Sequence, residues 1–184
     1  MGFGGKVPLP RFQVERKSLT SEETDMNLLT PVHVAISLIG ILSGLVVVLG
    51  FLSAKRLDSW NAIFLITTVL TSATGFLFPL HKLLPSHILG ILSLVVLAVA
   101  LFARYSRSLT GGWRRTYVIA SLIALYFNVF VLIVQSFQKV PTLKALAPTQ
   151  SEPPFVVAQV ACLLLFVVLT IMSAIKFRLV AVPA

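Results

Sequence analysis

The chain is predicted to be an all-α integral membrane protein, a bundle of five transmembrane helices with four as the alternative count. Composition points there first. Of 184 residues, 57% are hydrophobic and 11% charged, and the mean hydropathy is +0.97. A soluble domain of that make-up would have to leave far too much apolar surface in water. Five apolar segments, each near the roughly 20 residues that a spanning helix needs, carry no Asp, Glu, Lys or Arg in their interiors. The charges collect instead in the breaks between segments.

Residues 1–25 come before any of these segments. Lys6, Arg11, Arg16 and Lys17 alternate there with Glu15, Glu22, Glu23 and Asp25, and Pro8, Pro10 and early glycines disfavour a helix. With no apolar stretch it is no signal peptide, and it reads as a disordered tail. Met26 opens MNLLTPVHV, itself a natural start for a membrane protein, so the tail is open to doubt as native sequence. The single transmembrane domain is then 26–184, with helices expected at about 32–54, 60–80, 86–103, 116–137 and 155–175.

Short-loop charge sets the expected orientation. Lys55, Arg56, Arg104, Arg107, Arg114, Arg115, Lys176 and Arg178 fall on one side, against Lys82, Lys139 and Lys144 on the other. Basic loops stay in the cytoplasm, which predicts an outside N-terminus and a cytoplasmic C-terminus. Trp60 and Trp113 fall at the same inner boundary, where indoles prefer to sit. The net charge of +9 therefore reads as loops lying against anionic lipid. It does not read as a nucleic-acid surface, which needs a clustered soluble patch.

In lipid, small residues and interhelical hydrogen bonds must hold helices together. Gly40 and Gly44 form a GxxxG on the first helix, with Ala120 and Ala124 at matching spacing on the fourth as the expected partner. Packing inside the bundle is the preferred reading over homodimerisation. Thr67, Thr71, Thr74, Phe78 and His81 step by four and three, so they share one helix face. Ser121, Asn128 and Gln135 recur every seven residues on another. Asn128 lies near the expected midplane, where an unpaired amide is costly. An interhelical hydrogen bond is its expected role, and a polar path is the alternative.

Three histidines fall at helix ends: His33 opens the first, His81 closes the second and His87 opens the third. The five-helix topology brings all three to the outer boundary, with Glu152 the nearby carboxylate. Imidazoles on different helices at one depth suit haem or a divalent metal. The competing expectation is that they are interfacial or structural, since H-x5-H is no established ligand spacing.

Other chemistry is thin. Neither GxSxG, HExxH, Walker A nor GxGxxG occurs, no carboxylate lies within a span, and lone Cys162 allows no internal disulfide. GGWRR at 111–115 lacks the context of a phosphate loop and reads as an inner-face turn. The outer link 138–155, with prolines at 141, 148, 153 and 154, is expected to be extended and semi-rigid. PVHVAISLIG, TSATGFLFPLH and HILGILSL together resemble small multi-pass inner-membrane families of bacteria that carry a few histidines near helix ends. That resemblance implies a bacterial inner-membrane protein and transfers no catalytic residue. The leading functional expectation is a non-enzymatic accessory or interaction component, partnered by the bilayer, by another membrane protein or by itself. Alternatives are a haem- or metal-binding redox protein using His33, His81 and His87, and a small-solute carrier lined by Thr71, Asn128 and Gln135.

Overall fold

In the computed structural model the backbone is described for residues 11–78 and 85–177, and the side chains for 27–78 and 88–177. Every regular element among them is helical: α1 Arg11–Leu52, α2 Asp58–Gly75, α3 Pro85–Leu101, α4 Trp113–Lys139, α5 Pro141–Leu146 and α6 Pro153–Lys176. A π-helical turn, Phe102–Ser106, continues α3. Four stretches are long and apolar enough to cross a membrane: Asn27–Leu52, Ile88–Ser106, Trp113–Lys139 and Pro153–Lys176. The described residues are thus all-helical and compatible with a membrane.

The second expected span, 60–80, forms a helix but is not among the four. α2 stops at Gly75 and turns through Phe76 and Leu77. Its 18 residues include Asp58, Ser59, Asn61, Thr67, Thr68, Thr71, Ser72 and Thr74, which dilute its hydropathy. It packs chiefly against α1 and α3, and buries Asn61, Phe64, Leu65, Thr68, Thr71 and Ser72.

The expected tail meets the structure only in part. Residues 1–10 lie outside the described residues, while 11–25 are backbone continuous with α1. No Gly or Pro interrupts residues 11–30, so nothing local stops a helix there. Pro31 lies inside α1. It removes one backbone donor, a loss that helices at membrane depth tolerate when neighbours re-satisfy the backbone.

α1 ends at a left-handed Ala54 (φ 53°), with Lys55 N–H donating to the Gly50 carbonyl at 2.8 Å and Ala54 N–H to Phe51 at 3.2 Å. That is a Schellman closure with alanine where glycine is usual. The outer link differs from its expected extended form. Pro141 occupies the first turn of α5, where proline's fixed φ and missing N–H suit helix initiation.

α4 is the hub, touching α1, α2, α3, α5 and α6. Its buried face, Tyr117, Val118, Ala120, Ser121, Leu122, Ala124 and Leu125, meets Val47, Val48, Phe51, Phe64 and Leu97 in one core. α6 leans chiefly on α4 and α1. Three aromatic contacts hold it along its length: Phe137–Phe155 at 5.4 Å, Tyr126–Phe166 at 5.7 Å and Phe51–Phe177 at 4.8 Å.

Candidate functional site

The glycines of α1 do what their spacing predicts, with a different principal partner. A Cβ on Gly40 would lie 3.2 Å from Thr67 Oγ1 and 3.5 Å from Thr68 Oγ1. One on Gly44 would lie 2.6 Å from Leu125 Cδ1 and 2.9 Å from the Phe64 ring. The close approach is thus mainly to α2, and on α4 to Leu125, not to Ala120 and Ala124. The threonine stripe faces α1. Thr67 sits over Gly40 and donates to the Ile63 carbonyl at 2.7 Å, and Thr74 meets His33. Among the described residues, Thr71 Oγ1 is buried without a hydrogen-bond partner, as is Gln135 Oε1. Asn128 Nδ2 reaches Thr68 Oγ1 at 3.5 Å, the long limit of a hydrogen bond. Between the Asn128–Thr68 level and the Tyr117 level, Phe64 and Leu125, each 1% exposed, close on Gly44 as an apolar layer.

At the end where α1 begins, His33 Nδ1 lies 2.8 Å from Thr74 Oγ1, and its ring meets Phe78 edge-on at 5.2 Å. The Thr74 hydroxyl donates to the Leu70 carbonyl at 2.7 Å. A hydroxyl has one proton, so His33 Nδ1–H is the donor, and in the neutral imidazole Nε2 then keeps its lone pair. α3 starts at the same end, since a Cβ on Gly90 would lie 3.2 Å from Phe76. His81 lies outside the described residues, and of His87 only the backbone, in the first turn of α3, is described. Glu152 is engaged in its own turn: Oε1 accepts from Thr149 N–H (3.1 Å) and Thr149 Oγ1 (2.9 Å), and Oε2 from Ser151 N–H (3.1 Å). Slight desolvation raises its pKa, and these donors outweigh that and hold it below the usual carboxylate range. Among the described residues no three His, Cys, Asp or Glu side chains gather closely enough to hold a metal ion.

A polar cluster of described residues lies at the opposite end. Asp58, in the first turn of α2, accepts from Arg56 Nε at 2.8 Å and from Arg104 Nη2. The Asp58 side chain is 61% exposed and that of Arg104 only 5%. Partial burial works to raise the Asp58 pKa. Hydrogen bonds and charge from Arg56 and Arg104 outweigh it and hold the carboxyl below its ordinary value. Arg104 also lies over the rings of Tyr117 (5.4 Å) and Tyr105 (5.7 Å), which attract its cation. Tyr117, fully buried, donates to Asn61 Oδ1, and Asn61 Nδ2 donates to the Leu57 carbonyl at 2.7 Å. α2, α3 and α4 are thereby tied at one boundary.

The π-helical turn delivers Arg104. Arg107 N–H bonds back five residues to Phe102 at 3.1 Å, and the extra residue per turn rotates the chain relative to an α-helix. The chain then reverses through left-handed Ser108 (φ 47°) and Leu109 (φ 58°), both non-glycine, with Leu109 N–H donating to Ala103 at 3.1 Å. Such conformations cost about 1–3 kcal/mol each and persist where surroundings enforce them. Leu109, 2% exposed, is held by core packing.

Sequence reasoning grouped Arg104 with the loop cations and passed over Asp58, Asn61 and Tyr117. A signal was there. Asp58 and Glu152 are the only carboxylates after residue 26, and Asp58 stands alone among the basic residues of its side. No protein-family model, no curated protein and no solved structure matches this chain.

Proposed function

We propose that the protein is a non-enzymatic accessory or interaction component of a bacterial inner membrane, with five crossings, an outside N-terminus and a cytoplasmic C-terminus. One observation carries the reading. The polar side chains that reach between helices tie helix to helix: Arg104–Asp58, Tyr117–Asn61, Ser72–Ser93 (3.0 Å), His33–Thr74, and Gln159 Nε2 on the Phe130 carbonyl (3.3 Å). Buried Phe64 and Leu125 close on Gly44 between the levels of Tyr117 and Asn128, which favours this reading over a solute carrier. A photo-crosslinking residue in place of Leu164, 60% exposed on α6, tests it in native membranes. A protein adduct of discrete mass above the 20.0 kDa chain is expected; lipid adducts alone overturn the reading.

The orientation is tested in a Cys162→Ala background, which removes the sole cysteine. A cysteine at Lys144 should react with an impermeant maleimide on intact cells, and one at Leu57 only after permeabilisation. Labelling of both, or of Leu57 alone, rejects it.

A second reading rests on His33. A ligating imidazole ordinarily donates its other N–H to a fixed acceptor, and His33 Nδ1–H does so to Thr74. With His81 and His87 as partners, haem or a divalent metal would bind at this end. Purified protein would then show a Soret band or stoichiometric metal, lost in His33→Ala. A colourless, metal-free preparation overturns this.

A further inference from the structure

The π-helical turn that buries Arg104 is locally unfavourable, and nothing in its own sequence demands it. Residues 101–106 contain neither Gly nor Pro, the usual reasons for a helix to leave its α register. Arg104 Nε and Nη1 are buried without acceptors among the described residues. The rings of Tyr117 and Tyr105 attract the cation but bring no opposite charge. Its counter-charge is Asp58. The link behind the turn is taut as well, with Ser108, Leu109 and Gly111 at left-handed φ of 47°, 58° and 52°.

Both sides of the turn are anchored. Leu97 and Ala100 are at most 1% exposed on α3, and Leu109 beyond the turn is 2% exposed. A change of register is therefore confined to residues 101–108. A π-helical turn takes up more residues than an α-helical one, so an α register over this stretch hands chain to the taut link and turns Arg104 away from α2. Asp58 stands apart from this burial. Its side chain is 61% exposed, and its Oδ1 accepts from both Arg56 and Arg104. The charged or titratable groups facing the pair among the described residues are Arg56 before α2, Tyr105 in the turn and Tyr117 on α4. Lys55 is exposed next to Arg56.

We propose that the Arg104–Asp58 pair is a latch that holds the end of α3 in its π-helical register, and that loss of the Asp58 charge returns the turn to an α-helical register with Arg104 swung out to the membrane surface. Without the carboxylate, a cation in a 5%-exposed slot has two rings and no counter-charge, and a stranded buried charge is strongly disfavoured. The α register releases it and slackens the link in the same step. α2 and α3 then lose their tie at this end, while Tyr117–Asn61 still joins α2 to α4. Because Asp58 is exposed, the latch is reached from water.

Trp113 reports the turn. Its ring meets Phe102 edge-on at 5.3 Å and lies 5.3 Å from the Arg107 guanidinium, and both partners move with the register. The full-length chain is placed in phosphatidylcholine nanodiscs in a Trp60→Phe background, which leaves Trp113 as the sole tryptophan. Emission and acrylamide quenching are read, with helical circular dichroism confirming that the bundle persists. Asp58→Asn should red-shift Trp113 and raise its quenching. Asp58→Asn/Arg104→Met should restore both to the parent values, since a flexible thioether fills the slot beside the tyrosine rings with no charge to strand. If Asp58→Asn does not fold, acid makes the same test on the parent. Below the ordinary carboxyl pKa of about 4, Trp113 should red-shift reversibly, and in Arg104→Met it should not respond. Unchanged Trp113 in Asp58→Asn, a red shift that persists in the double variant, or an equal acid response in Arg104→Met overturns the proposal.

Discussion

Arg104 and Asp58 share one ion pair but not one environment, so the two ends of the bond should respond differently to mutation. Asp58→Asn leaves a 5%-exposed guanidinium without its carboxylate. Stranding a buried charge is the expensive way to break a pair, at about 3–5 kcal/mol for fully buried examples, and the exposure of Asp58 brings the expected loss to about 1–3 kcal/mol. Arg104→Met removes the buried charge and leaves Asp58 with Arg56 and water, so it should cost less than Asp58→Asn in denaturant titrations. Acid should repeat the Asp58→Asn effect. A carboxyl held below its ordinary value stabilises the fold above its unfolded pKa of about 4, and that contribution disappears as pH falls through the lower folded value. Wild type should therefore lose thermal stability below about pH 4, and Asp58→Asn should lose less over the same range. Identical pH curves for the two proteins would remove the pair from the stability account.

Helix ends separate what sequence reveals from what it conceals. The glycines of α1 and the threonines of α2 were legible because both signals are periodic: a small residue every turn predicts close approach, and threonines at three and four predict one face. Gly44 against Phe64 and Thr74 against His33 are the result. Arg104 was not legible. An α-helical register leaves it with the loop cations, and the inserted π-helical residue that turns it inward has no compositional mark. The polar content of α2 was less legible for a related reason. A window free of charges predicts a span, and the hydroxyls and Asn61 that dilute its hydropathy find polar partners on α1, α3 and α4. At the end of α1, left-handed Ala54 is exposed and pays a Cβ penalty that glycine avoids. Ala54→Gly should stabilise the protein by roughly 0.5–1 kcal/mol, the αL gain outweighing glycine's greater unfolded-state freedom. Gly44→Ala should do the reverse, costing about 1–3 kcal/mol as Leu125 and Phe64 are pushed aside. Gly75→Ala, whose nearest neighbour is His33 at 3.9 Å, serves as the neutral control in the same unfolding assay.

At the scale of the whole molecule the bundle divides into a tied body and a leaning helix. Interhelical polar ties join α1 to α2, α2 to α3 and to α4, and the π-helical turn to α2. Among the described residues α6 has one, from Gln159 to a backbone carbonyl, and only 6% of its most apolar window is buried, against 44% for α1 and for α4. Lipid provides no hydrophobic drive for helices to associate, so α6 stays docked by close packing, in which its three aromatic contacts take part. Phe177 is the strongest of them by position. It is 1% exposed, meets the Phe51 ring at a tilt, and follows the last turn of α6 at the Arg104 end. Phe177→Ala removes dispersion contacts without a matching transfer term, for about 1–3 kcal/mol. That loss should fall on α6 alone, because the Arg104–Asp58 and Tyr117–Asn61 ties do not pass through it. Hydrogen exchange in detergent micelles should then show faster exchange toward the C-terminal end of α6 with α2 and α4 unchanged. Leu164→Ala, on the exposed side, should exchange like wild type. Acceleration spread across α2 and α4 as well would mean that α6 is part of the cooperative core.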